Sequence, residues 1–591
     1  MIYILSTECR ARISEPPNQQ LCHGNGSEIF ALQAKGQIVY RSHRENEQSK
    51  SRIHNFPLKL LRYIPILALL IVQFACTDDE SFTMSRSNLL TFATDTVKMD
   101  TVFSKVPAPT KSFWIYNNSS DGIRCSQIKL ENGNQTGFRV NVDGEFLSAE
   151  RGYLINDIEI RKGDSLRVFV EVTTPMQGQI EPKLVEDNLV FNLESGVSQK
   201  INLNAWSWDA EKVSNLHIKG TQTFTAERPI IVYGGITVDS LSTLVINPGT
   251  TLYFHEDAGI NVFGKLITKG TAEQPVTLRG DRLDRMLDYL PYDLVSGQWK
   301  GLHFNASSLG NELTFTDLHS AYNGIVCDSS SLNKLKLNIQ YSTIHNCQGY
   351  GIQAKHSVIG IIGSQITNTL YDCVSLNGGF TEIINCTIAQ FYPFDSNRGM
   401  ALRFSDELND SKKISFVGTN GLTCANTIIT GFADDVIMGE MNDTTGTYTY
   451  YFDSDVMRTP QIKDDNVHFV NVIWEKELED SIAKVNNPNS RAKISEPPFT
   501  SRANLSELQA LKDSTMTGEK MFVLVSHDTQ HYDFHLDSHA CAVGKASVDF
   551  LAPNDRDGKP YDTTKPDIGC YSLSTSQKNN TKSYLRRRRL W

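Results

Sequence analysis

A repeat of about 22 residues in the middle of the chain constrains the fold more than any other feature of the sequence. Five segments align on a shared apolar position, with spacings of 26, 22, 22 and 40 residues, at Leu318, Ile344, Ile366, Ile388 and Ile428. Each segment contains short apolar strands and polar turns, so it can bury its inner face only by stacking on its neighbours. The sequence therefore predicts a solenoid of β-coils about 4.8 Å apart. The 40-residue step predicts either a loop insertion or a further degenerate coil.

Short apolar strands punctuated by glycines precede these repeats. They include "INPGTTLYF" from Ile246, "GKLITKGT" from Gly264 and "WKGLHF" from Trp299. From Ile230 to Met441 the pattern resembles right-handed parallel β-helix repeat proteins of the pectate-lyase-like kind, as found in secreted and surface proteins of bacteria, and the chain as a whole resembles a bacterial surface lipoprotein of that family. The resemblance implies an all-β fold with a right-handed parallel β-helix over residues 211–441, interrupted by an insertion at 280–299. It implies little about chemistry, because one fold serves many functions.

The last part of the chain resembles the closing segment of such surface proteins. The stretch "DRDGKPYDTTKPDIGCYSL" begins at Asp555, and Cys570 stands where alanine is usual. Residues 442–575 are therefore expected to supply the final coils and a C-terminal closure. Cys541 and Cys570 either form a disulfide or are two small buried thiols. Four further cysteines fall within coils and are expected to stack inside as small apolar side chains: Cys327, Cys347, Cys373 and Cys386.

An alternating pattern occupies residues 88–210. The segment "SLRVFVEVT" places Leu166, Val168, Val170 and Val172 on one side, and "FRVNVDGEF" turns at Asp143-Gly144. A period of two with one apolar face predicts half-buried strands. Turn signals every 8–12 residues over about 120 residues predict one Ig-like β-sandwich in front of the β-helix.

An apolar run of twelve residues, Ile64 to Ala75, ends abruptly at Cys76. It is too short to span a bilayer as a helix, and Lys59 and Arg62 precede it as in a signal peptide. The segment 57–76 resembles a bacterial lipoprotein signal with the lipobox "VQFAC", which implies a lipidated Cys76 and a location in the outer membrane, facing the cell exterior. Residues 77–87 then form an acidic linker. The alternative is a buried hydrophobic segment.

The composition and the cysteine spacing argue against a zinc protein and against a protein that binds polyanions. The 591 residues carry a formal charge of −10, and the eleven cysteines form no CxxC pair or zinc-ligand spacing. Residues 1–56 are polar and without periodicity, so we expect a disordered or wrongly assigned upstream segment. The arginine-rich tail 576–591 is expected to be a solvated, disordered tail. We expect no nucleic-acid partner, no evident cofactor and a monomer.

Acidic residues recur in the turns that follow the repeated strands. Counting from the aligned apolar positions places four of them near one edge of successive coils: Asp372, Asp395, Asp434 and Asp435. Neighbouring coils would hold carboxylates about 5 Å apart and alternate coils nearly 10 Å, which brackets the separations used by glycosidases. The same oxygens would suit Ca²⁺, and Arg398 could bind a uronate. The alternative is that these residues only cap turns. The polygalacturonase motifs GHG and RIK are missing.

The insertion 280–299 interleaves charged and aromatic residues. Aromatic ring faces stack on sugars and charged groups bond hydroxyls, so a set of its residues is expected to bind a glycan: Arg282, Asp284, Tyr289, Tyr292 and Trp299. The alternative is an amphipathic flap that seals the side of the β-helix.

Three functions are compatible with this sequence. The first is a surface protein whose β-helix flank binds polysaccharide. The second is a polysaccharide lyase or glycoside hydrolase, and the third is a structural adhesin or scaffold without a small ligand. Because no complete catalytic set is recognisable, binding is favoured over catalysis.

Overall fold

The structure is a computed structural model. It describes residues 81–573 with gaps at 226, 288, 407–418, 442–446, 464 and 487–514. Residues 1–80, which include the predicted lipoprotein signal and Cys76, and the basic tail lie outside the described residues. No helix within the described part of the chain has the length and apolarity needed to cross a lipid bilayer.

Ten strands form a β-sandwich. They are β1 (Thr91–Phe92), β2 (Thr96–Phe103), β3 (Lys111–Tyr116), β4 (Ile123–Leu130), β5 (Phe138–Val142), β6 (Glu145–Phe146), β7 (Leu154–Ile160), β8 (Ser165–Val172), β9 (Lys183–Leu193) and β10 (Ser198–Trp208). One sheet has the order β1-β3-β8-β5-β6 and the other the order β2-β10-β9-β4-β7. In β8 the apolar side chains at Leu166, Val168, Val170 and Val172 are buried and Arg167 is exposed, as the two-residue period of a half-buried strand requires. This confirms the predicted Ig-like β-sandwich.

The expected acidic linker is in part wrong. Phe82 pairs with Gly122 in an isolated parallel bridge, and the backbone N–H of Thr83 donates to the Gly122 carbonyl at 2.8 Å. The Arg124 guanidinium lies 4.5 Å above the Phe82 ring. The start of the segment 81–87 is therefore attached to the sandwich by backbone pairing and a cation–π contact.

The β-helix is built from short strands connected by turns. In chain order, with the hairpin β19–β20 of the insertion included, the strands are β11 (Glu211–Ile218), β12 (Thr221–Phe224), β13 (Ile230–Val238), β14 (Thr243–Ile246), β15 (Thr251–Phe254), β16 (Ile260–Val262), β17 (Lys265–Lys269), β18 (Val276–Gly280), β19 (Arg285–Leu287), β20 (Leu290–Pro291), β21 (Leu302–Phe304), β22 (Asn311–Thr314), β23 (Thr316–His319), β24 (Ile325–Cys327), β25 (Leu335–Gln340), β26 (Thr343–Cys347), β27 (Ile352–Lys355), β28 (Val358–Ile362), β29 (Gln365–Thr369), β30 (Val374–Asn377), β31 (Phe380–Ile384), β32 (Thr387–Gln390), β33 (Leu402–Ser405), β34 (Thr419–Ala425), β35 (Ile428–Gly431), β36 (Ile437–Glu440), β37 (Thr447–Asp453), β38 (Val456–Met457), β39 (Phe469–Val470) and β40 (Ile473–Trp474).

These strands stack into three parallel faces. Face A contains β11, β13, β15, β18, β23, β26, β29, β32, β35, β38 and β40; face B contains β11, β13, β16, β21, β24, β27, β30, β33 and β36; and face C contains β12, β14, β17, β22, β25, β28, β31, β34, β37 and β39. The long strands β11 and β13 run across faces A and B. Each coil contributes one strand to each face, which is the predicted parallel β-helix. Parallel connections of this kind are right-handed in nearly all folds.

The repeated apolar positions lie opposite one another inside the helix, with one correction. Leu318, Ile344, Ile366 and Ile388 are in register on face A. The next partner of Ile388 is Ile429 and not Ile428, so the predicted alignment is wrong by one residue at that coil. A shift of one residue along a strand moves each side chain to the opposite side of the sheet. Ile428 therefore points outward and packs in a hydrophobic cluster outside the helix core.

The enlarged step of the repeat is one coil with longer turns. Strands β32, β33 and β34 follow each other around a single coil and pair with β35, β36 and β37 of the next. A loop at residues 391–401 separates β32 from β33. Of the two readings of the 40-residue spacing, loop insertion is therefore confirmed. The cysteines expected inside the coils are fully buried there.

The sandwich is packed directly against the first coils. Phe103 and Trp208 of the sandwich contact Tyr253 of β15, with ring centroids 4.9 and 6.2 Å from that tyrosine. Ile231 belongs to the same cluster. Aromatic clusters of this kind bury large areas with defined ring geometry, so the two domains share an apolar contact.

The C-terminal segment closes over the outside of face A. After helix α1 (Glu475–Asn486), strands β41 (Phe522–Ser526) and β42 (His531–Leu536) form an antiparallel hairpin. Phe522 and Phe534 pack with Ala389 and Ile428 of face A. The closure therefore covers outward-facing apolar residues of the later coils.

Two aspartates of the closing motif act as hydrogen-bond acceptors for its backbone. Asp555 accepts the N–H groups of Asp557, Lys559 and Ser572, and Asp567 accepts those of Gly544 and Leu573. A carboxylate that accepts several backbone N–H groups fixes the loop around it.

The closing motif also needs its glycine. Gly569 has a φ of +105°, and a Cβ at this position would lie 2.7 Å from the Ile428 Cδ1 atom. A larger residue would therefore be strained in its backbone and would collide with face A. Cys541 and Cys570 are both free and buried, so the two-thiol alternative is the one found.

Candidate functional site

Face B carries two rows of polar side chains on its outer side, and those of Ser375 and Asn377 are covered from bulk solvent. Because side chains alternate along a strand, the middle residues of β27, β30 and β33 point outward together: Gln353, Ser375 and Arg403 are in register. A second row contains Lys355 and Asn377. Because equivalent positions of successive coils lie side by side, their polar side chains form one continuous surface.

An open cleft of about 870 Å³ lies over these rows, and we name it the face-B cleft. Its floor is formed by outward-facing strand residues, and its wall by the turns that connect face A to face B. The lining residues are Tyr350, Gln353, Lys355, Tyr371, Asp372, Ser375, Asn377, Asn397, Arg398, Gly399 and Arg403. The Tyr350 and Tyr371 rings meet edge to face with centroids 5.2 Å apart, so the wall carries adjacent aromatic surfaces.

One ion pair anchors the floor to the wall. Asp372, whose side chain is 6% exposed, accepts a hydrogen bond from Arg403 Nε at 2.8 Å and another from the Met400 backbone N–H at 2.7 Å. The guanidinium also contacts Glu440 at 3.0 Å. Burial disfavours the charged guanidinium, but the hydrogen bond and charge of Asp372 outweigh burial and raise the pKa of Arg403. Arg403 is therefore held as a fixed cation.

Arg398 reaches the cleft from the loop 391–401. Its Nε donates to the carbonyl of Tyr392, and its guanidinium lies 4.3 Å above the Phe432 ring. Burial lowers the pKa of Arg398, although an arginine stays charged at neutral pH. The loop itself is seated by Gly399, whose N–H donates to the Leu370 carbonyl at 2.8 Å.

Three polar side chains of the cleft are not used by the protein. Within the described residues, the side chains of Lys355, Gln353 and Ser375 have no hydrogen-bond or ion-pair partner. They offer an ammonium, an amide and a hydroxyl side by side. With the two tyrosine rings, the cleft can contact apolar ring faces and hydrogen-bond hydroxyl or acidic groups of the same ligand.

The four predicted catalytic carboxylates do not assemble in the cleft. They lie in turns after neighbouring strands of face A, as expected, but only Asp372 lines the cleft. Asp395 is exposed and accepts the Asn397 N–H at 2.8 Å. Asp434 is exposed and lies 3.4 Å from Arg458, and Asp435 accepts the Ile437 N–H at 3.3 Å. Asp395 and Asp435 thus bond nearby turn backbone, which is the alternative considered for them.

The predicted glycan-binding residues of the insertion also lie away from the face-B cleft. Arg282 and Asp284 pair through two bonds of 2.7 and 2.6 Å, and the Arg282 guanidinium lies 3.8 Å above the Tyr292 ring. Both charged residues line a separate pocket of about 290 Å³ beside Trp208 and Tyr253, which belong to the sandwich and to the first coils. Tyr289 is 61% exposed.

The prediction for Trp299 is wrong. Its side chain is 1% exposed and stacks on Phe254, with ring centroids 4.3 Å apart and planes 9° from parallel. The indole Nε1 donates to the His319 carbonyl at 2.9 Å. Trp299 is therefore a core residue whose polar atom is satisfied internally, and it offers no surface to a ligand.

Sequence reasoning missed most of the cleft. A signal was available in "GIQAK", "CVSLN" and "ALRFS", which align so that Gln353, Ser375 and Arg403 share one outward position. Tyr350 and Tyr371 lie in the turns just before these strands. Of the residues predicted to act on a ligand, the structure brings Asp372 and Arg398 together in the cleft.

The expectation of calcium remains a prediction. Across the part of the chain that the structure describes, no group of three or more His, Cys, Asp or Glu side chains is arranged to hold a metal ion.

Comparisons with known proteins add two structural similarities. No protein-family model and no curated protein matches the sequence. The ASH/PapD-like domain of human CEP192 (PapD-like domain 7) is 8% identical over 23% of this chain and 95% of that chain, with a TM-score of 0.14. The catalytic unit of a thermostable GH87 alpha-1,3-glucanase from Streptomyces thermodiastaticus strain HF3-3 is 11% identical over 61% of this chain and 87% of that chain, with a TM-score of 0.23. The strand pairing, and not these similarities, establishes the fold.

Proposed function

We propose that this protein binds a polysaccharide chain in the face-B cleft. The observation that carries the proposal is the cleft itself, in which two tyrosine rings border hydrogen-bonding groups from three successive coils. Sugars present apolar ring faces and many hydroxyls, so a ligand of this kind uses both types of surface. An open groove also lets a polymer extend beyond the bound units.

The charges of the cleft support an acidic sugar within that class. Lys355, Arg398 and Arg403 contribute three cationic groups, and Asp372 contributes one carboxylate that is already paired with Arg403. Opposite charges steer a ligand towards such a site and fix its register. Carboxylate-bearing or sulfated polysaccharides are therefore expected to bind more tightly than neutral ones.

The geometry favours binding over hydrolysis. Glycosidases that use two side chains place two carboxyl groups about 5 to 10 Å apart. Asp372 is the one carboxylate among the described residues that line the cleft, and both of its oxygens accept hydrogen bonds. Cleavage is the second candidate to be tested, and a scaffold without a ligand is the third.

We also propose that the mature protein is a lipoprotein of the outer membrane with the β-helix facing outward. The support is the sequence from Leu60 to Glu80, where an apolar run ends at Cys76. Metabolic labelling with a fatty acid tests this proposal, because Cys76→Ala should abolish the label.

A polysaccharide panel tests the proposed binding. The purified residues 81–591 are passed over immobilised acidic and neutral polysaccharides, and the soluble products are analysed for shortened or unsaturated chains. Retention without new products supports the proposal. Retention of none of the polymers overturns it in favour of a scaffold, and release of shorter chains replaces it with an enzyme.

Variants locate the binding site. Tyr371→Ala and Lys355→Ala should each weaken retention about tenfold, which corresponds to about 1.4 kcal/mol. Tyr116→Ala, which removes a partly exposed ring from the sandwich, is the matched control and should bind like the wild type.

A further inference from the structure

The insertion between β18 and β21 is an extended strap along the edge that joins face A to face B. We call residues 281–298 the strap; Asp288 lies outside the described residues. It contains the β19–β20 hairpin and then passes the C-terminal ends of β23, β26 and β32. Four coil steps separate β18 from β32 on face A, a distance of about 19 Å at 4.8 Å per coil.

The second half of the strap is anchored to face A by charge at Asp293. Asp293 Oδ1 lies 2.8 Å from His319 Nε2 and 2.8 Å from Arg279 NH2. On its other side, His319 Nδ1 lies 2.9 Å from Asp317. His345 and Arg556 complete the charged and titratable groups around Asp317. The carboxylate of the strap is thus part of a paired, half-buried network.

The last residues of the strap are fixed by contacts of their backbone. The side-chain amide of Asn346 donates to the Leu294 carbonyl at 2.7 Å, and the Gln298 N–H donates to the Ser320 carbonyl at 2.7 Å. Gly297 has a φ of +81°, and a Cβ there would lie 2.1 Å from the Gln348 Oε1 atom. A residue other than glycine would therefore be strained in its backbone here and would displace the Gln348 side chain.

One bond joins the strap to the loop that carries Arg398. The hydroxyl oxygens of Ser296 and Tyr392 are 2.7 Å apart. The Tyr392 side chain is buried, and its carbonyl accepts the Nε–H of Arg398. Two hydrogen bonds thus connect Ser296 through Tyr392 to Arg398, a residue that lines the face-B cleft.

We propose that the strap is a positioning element of the face-B cleft, and that Ser296 holds the loop 391–401 through Tyr392 so that Arg398 faces the ligand. Tyr392 and Arg398 lie in one loop, so loosening the Ser296–Tyr392 bond displaces the groups that Tyr392 orients. A site held by such supporting contacts loses affinity when they are removed, even if every ligand-contacting residue remains. The effect on ligand affinity rests on the proposed polysaccharide binding, whereas the effect on the loop does not.

Hydrogen exchange of residues 391–401 tests the structural half of the inference. In Ser296→Ala and Tyr392→Phe the backbone amides of this loop should exchange at least fivefold faster, because local opening becomes easier. The amides of β26 and β29 should keep their wild-type rates and report that the coils remain folded. Ser296→Thr retains the hydroxyl and should restore slow exchange. Unchanged exchange of the loop in Ser296→Ala overturns the inference.

Retention on the best polysaccharide tests the functional half. Ser296→Ala should weaken it about fivefold, Ser296→Thr should bind like the wild type, and Ser307→Ala, at an exposed turn of an earlier coil, is the matched control. Faster loop exchange with unchanged retention overturns the positioning role. If the wild type itself retains no polysaccharide, the proposed function fails, and the exchange measurement alone decides whether the strap holds the loop.

Discussion

Asp372 and Arg403 come from neighbouring coils of the β-helix, and their side chains form a 2.8 Å ion pair at the junction of the floor and the wall of the face-B cleft. The carboxylate also accepts the Met400 N–H, so it ties the loop before β33 to the turn before β30. A paired, nearly buried carboxylate orients its arginine. Its position in the cleft is thus explained without a role in acid–base chemistry.

Removing the charge of Asp372 tests this anchoring role. Asp372→Asn should lower the free energy of unfolding by about 2 kcal/mol, because a half-buried guanidinium loses the nearer of its two charged partners. Urea unfolding measures the change. Asp395→Asn, at an exposed turn, should stay within about 0.5 kcal/mol of the wild type. Equal stabilities for the two variants would contradict the anchoring role.

Trp299 is expected to act on stability and not on ligand contact. Trp299→Ala should cost about 3–5 kcal/mol, because it removes a buried indole and leaves a cavity against Phe254. Tyr289→Ala in the same insertion should be almost neutral, since that ring is exposed. Thermal unfolding of both variants checks the contrast. A Trp299→Ala protein as stable as the wild type would show that the indole is not a core residue.

Asp455 makes the stability of the last coils depend on pH. Burial raises the pKa of Asp455 well above its usual range, while its Oδ1 accepts the Thr427 N–H at 2.6 Å. Because the folded-state pKa lies above the unfolded value of about 3.9, this contribution is fully present below that pH and is lost as the pH rises through the folded pKa. Asp455→Asn should therefore have a higher Tm than the wild type at pH 8, with a difference that shrinks towards pH 4. Asp257→Asn, at an exposed turn, is the control, and an equal difference for it would contradict the assignment.

His319 should make the anchoring of the strap sensitive to alkaline pH. Burial disfavours its charged form, but Asp317 and Asp293 outweigh burial and raise the pKa to about 9. Its stabilising contribution is therefore complete below about pH 6.5 and is lost as the pH rises through 9. His535 has a pKa of about 9 for similar reasons, so the wild type should lose Tm between pH 7 and 10 in two overlapping contributions. His319→Gln should remove one of them. A pH dependence identical to that of the wild type would exclude this role of His319.

Cys541 and Cys570 of the C-terminal closure should not react with alkylating reagents in the folded protein. Burial raises the pKa of the Cys541 and Cys570 thiols, and a thiol reacts as its thiolate. Neither should be alkylated before unfolding, and both should be alkylated in denaturant without a reducing agent. Peptide mass spectrometry measures this. A mass two daltons lower that persists in denaturant would indicate a disulfide instead.

The fold was largely predictable, because the spacing of the apolar residues along the chain indicates which side chains are buried. Isoleucine or leucine once per coil, as at Ile344 and Ile366, can be buried only if coils stack. The prediction failed at Ile428, where two isoleucines stand in succession and spacing does not tell which of them points inward. Pairing with Ile388 selects Ile429, and the closure then covers the other.

The candidate site was predictable only in part. Asp372 and Arg398 were recognised as polar residues in turns, but Arg403 was overlooked because a lone arginine in a strand carries no motif. Trp299 shows the opposite error. An aromatic residue beside charged residues suggests a binding surface. The ring of Trp299 instead stacks on Phe254 of an earlier coil and is shielded from solvent. Composition of a segment does not state which side of it faces solvent.

The amino-acid order alone determined that short strands stack into coils and that four of the five aligned apolar residues and the cysteines of the coils fill the interior, because the alternation of burial along a strand is a local property. The tertiary structure decided which polar groups meet. Ser296 and Tyr392 are 96 residues apart in the chain and share a hydrogen bond, and the face-B cleft exists only where turns of unequal length from several coils lie side by side. These long-range contacts depend on the length and conformation of each turn and on the surface against which it packs. Neither the period of the apolar residues nor the amino-acid composition specifies them.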